Sequence, residues 1–291
     1  MLINSFNDFF SENVFRKIDA FSVEEKIYND VLEEIISSVN DLNYDSDDSC
    51  FMKMVRIANN FVTCVYEGDD GDVGHYSANV IFLTHGICES ELIATIIHEL
   101  THHIICEIMG IILARVLDCE KNVIIESFTW YCTTYTPLMI LINEFAAHTT
   151  ENYFLPPEYN SYGSFIELLE LIRANKKEYV LTDELIQEAI LFGKYLAEDV
   201  IDILSNFITD DLMLEIHNQF LKDSREEIHM DLTLDDNMDV NFKYDTIREF
   251  MQLTYLLSNN RESIQVLNDI KSNYEYYSVY DNIVDDVIQL N

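Results

Sequence analysis

Only 7 glycines and 3 prolines punctuate a chain of 291 residues. Turn-rich all-β architectures draw on both residue types at their tight turns, so this scarcity steers the chain towards long helices and few strands. Hydrophobic residues make up 48% of the sequence, enough to build a substantial core rather than a disordered chain. The expected class is α+β: mostly helical, with a small antiparallel or mixed β-sheet and an all-helical C-terminal part.

Apolar positions at helical spacing, Val31, Ile35, Ile36 and Val39, predict helix within the first 40 residues. The polar, acidic stretch 41–49 reads as a loop, and 51–58 fits strand or helix equally. Phe61 to Glu67 is β-branched and aromatic, residues 68–74 are rich in Gly and Asp, and His75 to Thr84 centres on Val80, Ile81, Phe82 and Leu83. Together they predict a β-hairpin with a long connection. Ser90 is placed to cap the next helix, with Glu91 in its first turn. That helix is expected to stop at Gly110, with a short further helix from Ile111 to Leu117. Residues 119–136 show no decisive pattern. Leu138 to Tyr153 reads as helix, ended by Pro156-Pro157. Beyond lie helical patterns over 164–176, 183–206, 210–221, 246–257 and 262–290. The best boundary falls near Pro156-Pro157, dividing 1–156 from an acidic helical region, 157–291. Packing of both on one core stays open.

The net charge is −36, from 17 basic and 53 acidic residues. Such a surface repels nucleic-acid phosphates and anionic membranes, so neither is an expected direct partner. It favours basic partners, or serves solubility or halophilic adaptation. It also permits an acidic decoy that imitates DNA towards DNA-binding proteins. Cys50, Cys64, Cys88, Cys106, Cys119 and Cys132 form no CxxC pair, and several sit in apolar runs. They read as reduced core thiols. The stretch Met1 to Asp8 lacks a basic segment followed by an apolar one, and no run of 18 residues is apolar throughout. A cytoplasmic protein is expected, with signal-less secretion as an effector left open.

The chemistry concentrates in His98-Glu99-Leu100-Thr101-His102. On a helix, residues four apart share a face, so both imidazoles can reach one metal ion. Zinc acidifies a bound water to a pKa of about 7, and the adjacent Glu99 is placed to take its proton. Ile93, Ile96, Ile97, Leu100, Ile104 and Ile105 cover the remaining faces of the helix, which would hold it rigidly in a core. His103 points about 100° away from His102 and reads as a supporting or structural residue.

A catalytic zinc needs a third protein ligand and an open position. In the pattern HExxHxxGxxH the third ligand is a histidine, but Ile105 and Ile108 occupy the Gly and His positions here, which excludes it. Downstream, Glu144 in Ile142-Asn143-Glu144-Phe145-Ala146-Ala147-His148 is the leading candidate. Small Ala147, one turn on, would let two helices approach. His148 lies on the same face and is the rival ligand, with Glu151 third. An oxyanion-stabilising residue has no firm candidate; Tyr153, close after the Glu144 helix, is the one named.

The strand, the HExxH helix and the later Glu-Phe-Ala-Ala resemble gluzincin metallopeptidases over roughly residues 60 to 155, with the compact ImmA/IrrE-type members the nearest likeness. The resemblance implies a zincin-like fold, zinc held by His98, His102 and Glu144, and Glu99 as general base. It departs from the compact pattern in the longer insert before Glu144, and the acidic helical C-terminal part has no counterpart in it. The expectation is a zinc endopeptidase acting on a protein or peptide substrate, a basic one matching the surface charge. The alternatives are an acidic binding or decoy protein with a structural or vestigial zinc site, and a hydrolase of non-peptide amides. Closure of the site by His148 in addition to Glu144 would favour the binding protein.

Overall fold

In the computed structural model, residues 2–39, 48–68, 74–160, 162–177, 179, 181–223, 242–278 and 288–290 are described. The first 39 residues form three helices, α1 (Phe6–Phe9), α2 (Glu12–Ala20) and α3 (Glu25–Ser38). Most of the expected loop at 41–49 lies outside the described residues. Its last residue, Ser49, caps α4 (Cys50–Phe61) by accepting the Met52 N–H, which resolves the ambiguous stretch 51–58 as helix.

The sheet is mixed, with strand order β2-β3-β1-β4. Its strands are β1 (Cys64–Gly68), β2 (Gly74–Ser77), β3 (Val80–Thr84) and β4 (Ile288–Leu290). The expected hairpin between 61–67 and 75–84 does not form. Instead β1 runs parallel to β3, with Cys64 opposite Val80 and Gly68 opposite Thr84. The segment 75–84 is itself a hairpin, folding back at Ala78 and Asn79 with φ of 48° and 64°. Two left-handed residues in succession make the tight turn whose twist suits paired strands. Alanine rarely adopts that conformation, which is why the turn was not visible as one. Tyr76 Oη donates to Asn79 Oδ1 at 3.0 Å and steadies it. The C-terminal part is also not all-helical, since β4 pairs antiparallel with β1.

Helix α5 (Glu89–Leu117) carries the motif and runs unbroken for 29 residues. Gly110 does not stop it. That face of the helix is closed by Lys121 and Thr129, which lie within van der Waals reach of a Cβ built at Gly110. The helix ends at Asp118, in the left-handed conformation, with the Cys119 N–H bonded to the Ala114 carbonyl and Lys17 Nζ donating to the Leu117 carbonyl. At the other end Cys88 stands at the capping position. Ser90 lies inside the helix, and its N–H donates to Asp223 Oδ2 at 2.9 Å. A carboxylate from a distant segment thus does the work expected of Ser90. By length and apolarity α5 could cross a membrane, but 72% of its most apolar window is buried inside the fold. Ile93, Ile96, Ile97, Leu100, Ile104 and Ile105 are essentially inaccessible, each burial stabilising the fold by about 1.5–3 kcal/mol.

The undecided stretch 119–136 contains α6 (Val123–Thr134), capped by Asn122. Helix α7 (Pro137–Phe154) follows, and Pro157–Tyr159 forms a single 3-10 turn after it. Then come α8 (Gly163–Asn175), α9 (Asp183–Leu204), α10 (Asp210–Lys222), α11 (Phe242–Ser258) and α12 (Arg261–Ser278). The expected helix over 262–290 therefore ends by Ser278, and its last residues are the strand β4. One hydrophobic cluster includes side chains on both sides of Pro156-Pro157, among them Phe145, Phe165 and Phe192. Helices α7 and α9 meet at Gly193, where a Cβ would lie 2.7 Å from the Ile142 carbonyl oxygen. A buried trio binds α3, α9 and α11: Asp199 accepts from Tyr28 Oη at 2.6 Å and from Lys243 Nζ at 2.7 Å.

Candidate metal centre

Two helices build the site. Helix α5 presents His98 and His102 one turn apart, their ring centroids 4.9 Å from each other. Helix α7 presents Glu144, His148 and Glu151 at spacings of four and three, which puts them on one face. The Glu144 carboxylate lies between the two motif histidines, with Oε2 3.5 Å from His98 Nε2 and Oε1 3.7 Å from His102 Nε2. These separations are long for direct hydrogen bonds. They suit ligand atoms arranged around a shared ion. For a tetrahedral metal with bonds of about 2.1 Å, neighbouring ligand atoms stand roughly 3.4 Å apart.

His148 joins the cluster. Ligand atoms of His98, Glu144 and His148 all lie within 4.8 Å of one another. Its Nε2 is engaged by Ser164 Oγ at 2.8 Å, while its Nδ1 is buried without a hydrogen bond among the described residues. The cluster whose ligand atoms converge so closely thus includes His148 and not the expected His102, and its two imidazoles and one carboxylate fit a metal ion by donor chemistry.

Glu151, third among the expected ligand candidates, takes a different place. Its Oε2 lies 3.1 Å from His98 Nδ1, the ring nitrogen opposite the one facing Glu144, and 3.6 Å from His148 Nδ1. Metal-binding histidines characteristically give their second ring nitrogen to a carboxylate, which fixes tautomer and orientation. Glu151 fits that supporting role.

The electrostatics favour a cation. Burial pushes the Glu144 and Glu151 carboxyls up, but hydrogen bonds and charges from the histidines outweigh it and hold each at about 2. Burial pushes the His98 imidazole down, and the nearby carboxylates of Glu144, Glu151 and Glu99 overcome it, leaving His98 well above the usual range. A positive charge is thus stabilised where these groups converge. At His103 burial outweighs the opposing pull of the Glu107 charge and lowers the imidazole to about 4. Its Nδ1 lies 3.2 Å from Tyr76 Oη, a packed structural pair.

Glu99 is buried at 7% exposure and lines a cleft of about 350 Å³ together with His98, His102 and Glu144. Edge strand β2 supplies Gly74, His75 and Tyr76 to the opposite wall, and Cys106, Trp130, Thr134 and Asn143 complete it. At Gly74 any Cβ would lie 2.4 Å from Thr95 Cγ2 of α5, so glycine is what lets the strand sit this close to the motif helix. The second-wall residues were not anticipated. Trp130 and Thr134 carry the four-residue spacing of one helix face, and Asn143 directly precedes Glu144, but neither signal stands out without α6 in place. Tyr153 is not among the cleft residues. It is 53% exposed, with its ring against Phe154, so the expectation of an oxyanion role there is withdrawn.

No protein-family model matches the chain, and neither curated proteins nor solved structures yield a match.

Proposed function

We propose that this protein is a zinc-dependent metallopeptidase of gluzincin-like arrangement, with a zincin-like core formed by the mixed sheet and α5. One observation carries the reading: the Glu144 carboxylate sits at 3.5 and 3.7 Å from the two motif histidines, beside a cleft that Glu99 lines. His98, His102 and Glu144 would hold the ion, with Glu151 orienting His98. A bound zinc ion supplies Lewis acidity, acidifying water and polarising a carbonyl. The rest falls to the chain. Glu99 takes a proton from the attacking water, whose oxygen bonds to the carbonyl carbon. As the C–N bond breaks, Glu99 returns that proton to the leaving amine.

A second reading has its own observation. His148 stands within the same cluster as His98 and Glu144. If it binds the ion as well, the site closes at four protein ligands, as structural sites do, and the acidic chain becomes a binding protein for basic partners.

Metal content of the purified wild type and of His98→Ala tests the site. About one zinc per chain, lost in the variant, supports it, and a zinc-free wild type after reconstitution sinks it. Casein hydrolysis by wild type but not by Glu99→Gln supports the peptidase. X-ray absorption on zinc-loaded protein showing three histidines and one carboxylate with no water favours the binding protein.

A further inference from the structure

Helix α11 carries an apolar stripe that the fold leaves uncovered. Leu253, Leu256 and Leu257 are each more than half exposed. Spacings of three and four put them on one side of the helix. A single exposed leucine is ordinary, but a contiguous group marks a surface that meets something. Leu253 also lines a groove of about 200 Å³ between α7, α9 and α11. Ile142 and Ala189 are its buried residues, and Leu138, Leu185 and Phe250 stand with Leu253 around them. The groove is smaller than the roughly 300–1,000 Å³ pockets that enclose whole small molecules. It suits one or two apolar side chains presented by a helix.

The polar part of the groove is acidic. Glu188 of α9 and Glu249 of α11 line it, and no Lys, Arg or His does. One turn earlier on the same two helices stand Glu184 and Asp245. Two cations lie nearby on α11. Lys243 is committed to Asp199, and Arg248 lies 3.2 Å from Asp245 and 3.6 Å from Glu249. Arg248 thus offsets only part of the negative charge.

Charge decides among occupants. A second copy would bring another net −36. The segment 224–241, just before α11, carries Glu226, Glu227, Asp231, Asp235, Asp236 and Asp239 against Arg225 alone. Neither complements an acidic groove. We infer that the groove and the leucine stripe dock an amphipathic helix of a basic protein partner. The partner's apolar side chains enter the groove and cover the leucines, and its Lys and Arg side chains meet Glu188 and Glu249. The site is separate from the metal centre. Ile142 and Glu144 are two residues apart and so lie on opposite sides of α7. None of the groove's carboxylates holds metal or moves a proton in the proposed chemistry, so the inference stands whether or not the protein is a hydrolase.

Fluorescence anisotropy tests it, with the full chain and a labelled amphipathic peptide, Lys-Leu-Lys-Lys-Leu-Leu-Lys-Lys-Leu-Lys. One control peptide has Glu for every Lys, and another has Ser for every Leu. The leucine-lysine peptide is expected to bind saturably and at least about tenfold more tightly than either control. Leu253→Ser with Leu257→Ser should weaken it by about tenfold. Leu214→Ser with Leu221→Ser, at exposed leucines of α10, should leave it unchanged. Glu188→Gln with Glu249→Gln should weaken it by about threefold, and by more than Glu167→Gln with Glu170→Gln, which removes the same charge from α8. The substituted leucines are exposed, so thermal melts recorded for both leucine pairs should match the wild type. Equal weakening by the two leucine pairs, or by neither, overturns the inference. So does equal binding of either control peptide, or a leucine-lysine peptide that does not bind.

Discussion

Glu151 Oε2 stands 3.1 Å from His98 Nδ1, which leaves His98 Nε2 turned towards Glu144. One carboxylate thereby settles which nitrogen of the first motif histidine is free to bind. Replacing Glu151 with Gln should weaken metal affinity by about 10–100-fold without abolishing binding. Competition with a chelator of known affinity reads this directly. Complete loss of metal would make Glu151 a ligand rather than a support.

On the proposed reading, Glu99 and Glu144 separate chemistry from binding. Glu99→Gln should retain one zinc per chain and lower the hydrolysis rate by about 10²–10⁴-fold, the range for removal of a general base. Glu144→Ala should lose zinc. Zinc retained at full occupancy in Glu144→Ala would pass the third-ligand role to His148.

Gly193 is coupled to the site through packing alone. An alanine Cβ there would lie 2.7 Å from the Ile142 carbonyl oxygen and 3.1 Å from Phe145 Cδ1, on the helix that carries Glu144. Gly193→Ala should destabilise the protein by about 1–3 kcal/mol and also weaken zinc binding as α7 shifts. Urea unfolding with and without zinc measures both effects, and a loss of stability identical in the two conditions would show that Glu144 stays in place.

Asp223 predicts an acid dependence. Burial pushes its carboxyl up, but hydrogen bonds from Ser90 and Gln219 with the charge of Lys222 together hold it below its ordinary 3.8. Its contribution is therefore complete above that value and fades as the pH falls through the lower folded value. Asp223→Asn, which keeps an acceptor but not the charge, should flatten that part of the stability profile. Thermal melts between pH 5 and 2 compare the two proteins, and parallel profiles would assign the acid sensitivity elsewhere.

Lys243 is the cation of a buried cluster, with Asp199 Oδ2 at 2.7 Å and the Tyr28 ring centroid at 4.5 Å. Lys243→Met strands the Asp199 carboxylate and should cost about 3–5 kcal/mol near neutral pH. Burial already raises the Asp199 carboxyl above its ordinary value, against the opposing charge of Lys243. The loss should therefore shrink as the pH falls and Asp199 takes up a proton. A deficit independent of pH, followed by chemical denaturation, would point to lost packing instead.

The helical elements and the pentapeptide were legible because both rest on local spacing. His98 and His102, or Glu144 and His148, share a face wherever they form a helix. Strand pairing was not legible, because it joins segments far apart. Nothing near Cys64 says that it will lie parallel to Val80, and nothing near Leu290 says that it will pair with Val65. The cap of α5 failed for the same reason. Ser90 has the right chemistry, yet Asp223 arrives from more than a hundred residues away. The far wall of the cleft, Trp130 and Tyr76, needed α6 and the Ala78-Asn79 turn before its residues could be seen together.

Strand β4 has a consequence in time. Val65 finds Leu290 only after all the residues between them have been made, and Asn59 Nδ2 also awaits the Leu290 carbonyl, 2.8 Å away in the finished fold. At about 5–20 residues per second of synthesis, a nascent chain that has completed β3 waits roughly 10–40 s for its final strand. During that interval one border of the sheet beneath the motif helix stays unpaired. The segment carrying His98 and Glu144 is thus made, and can begin to pack, before the strand that borders the sheet beside it.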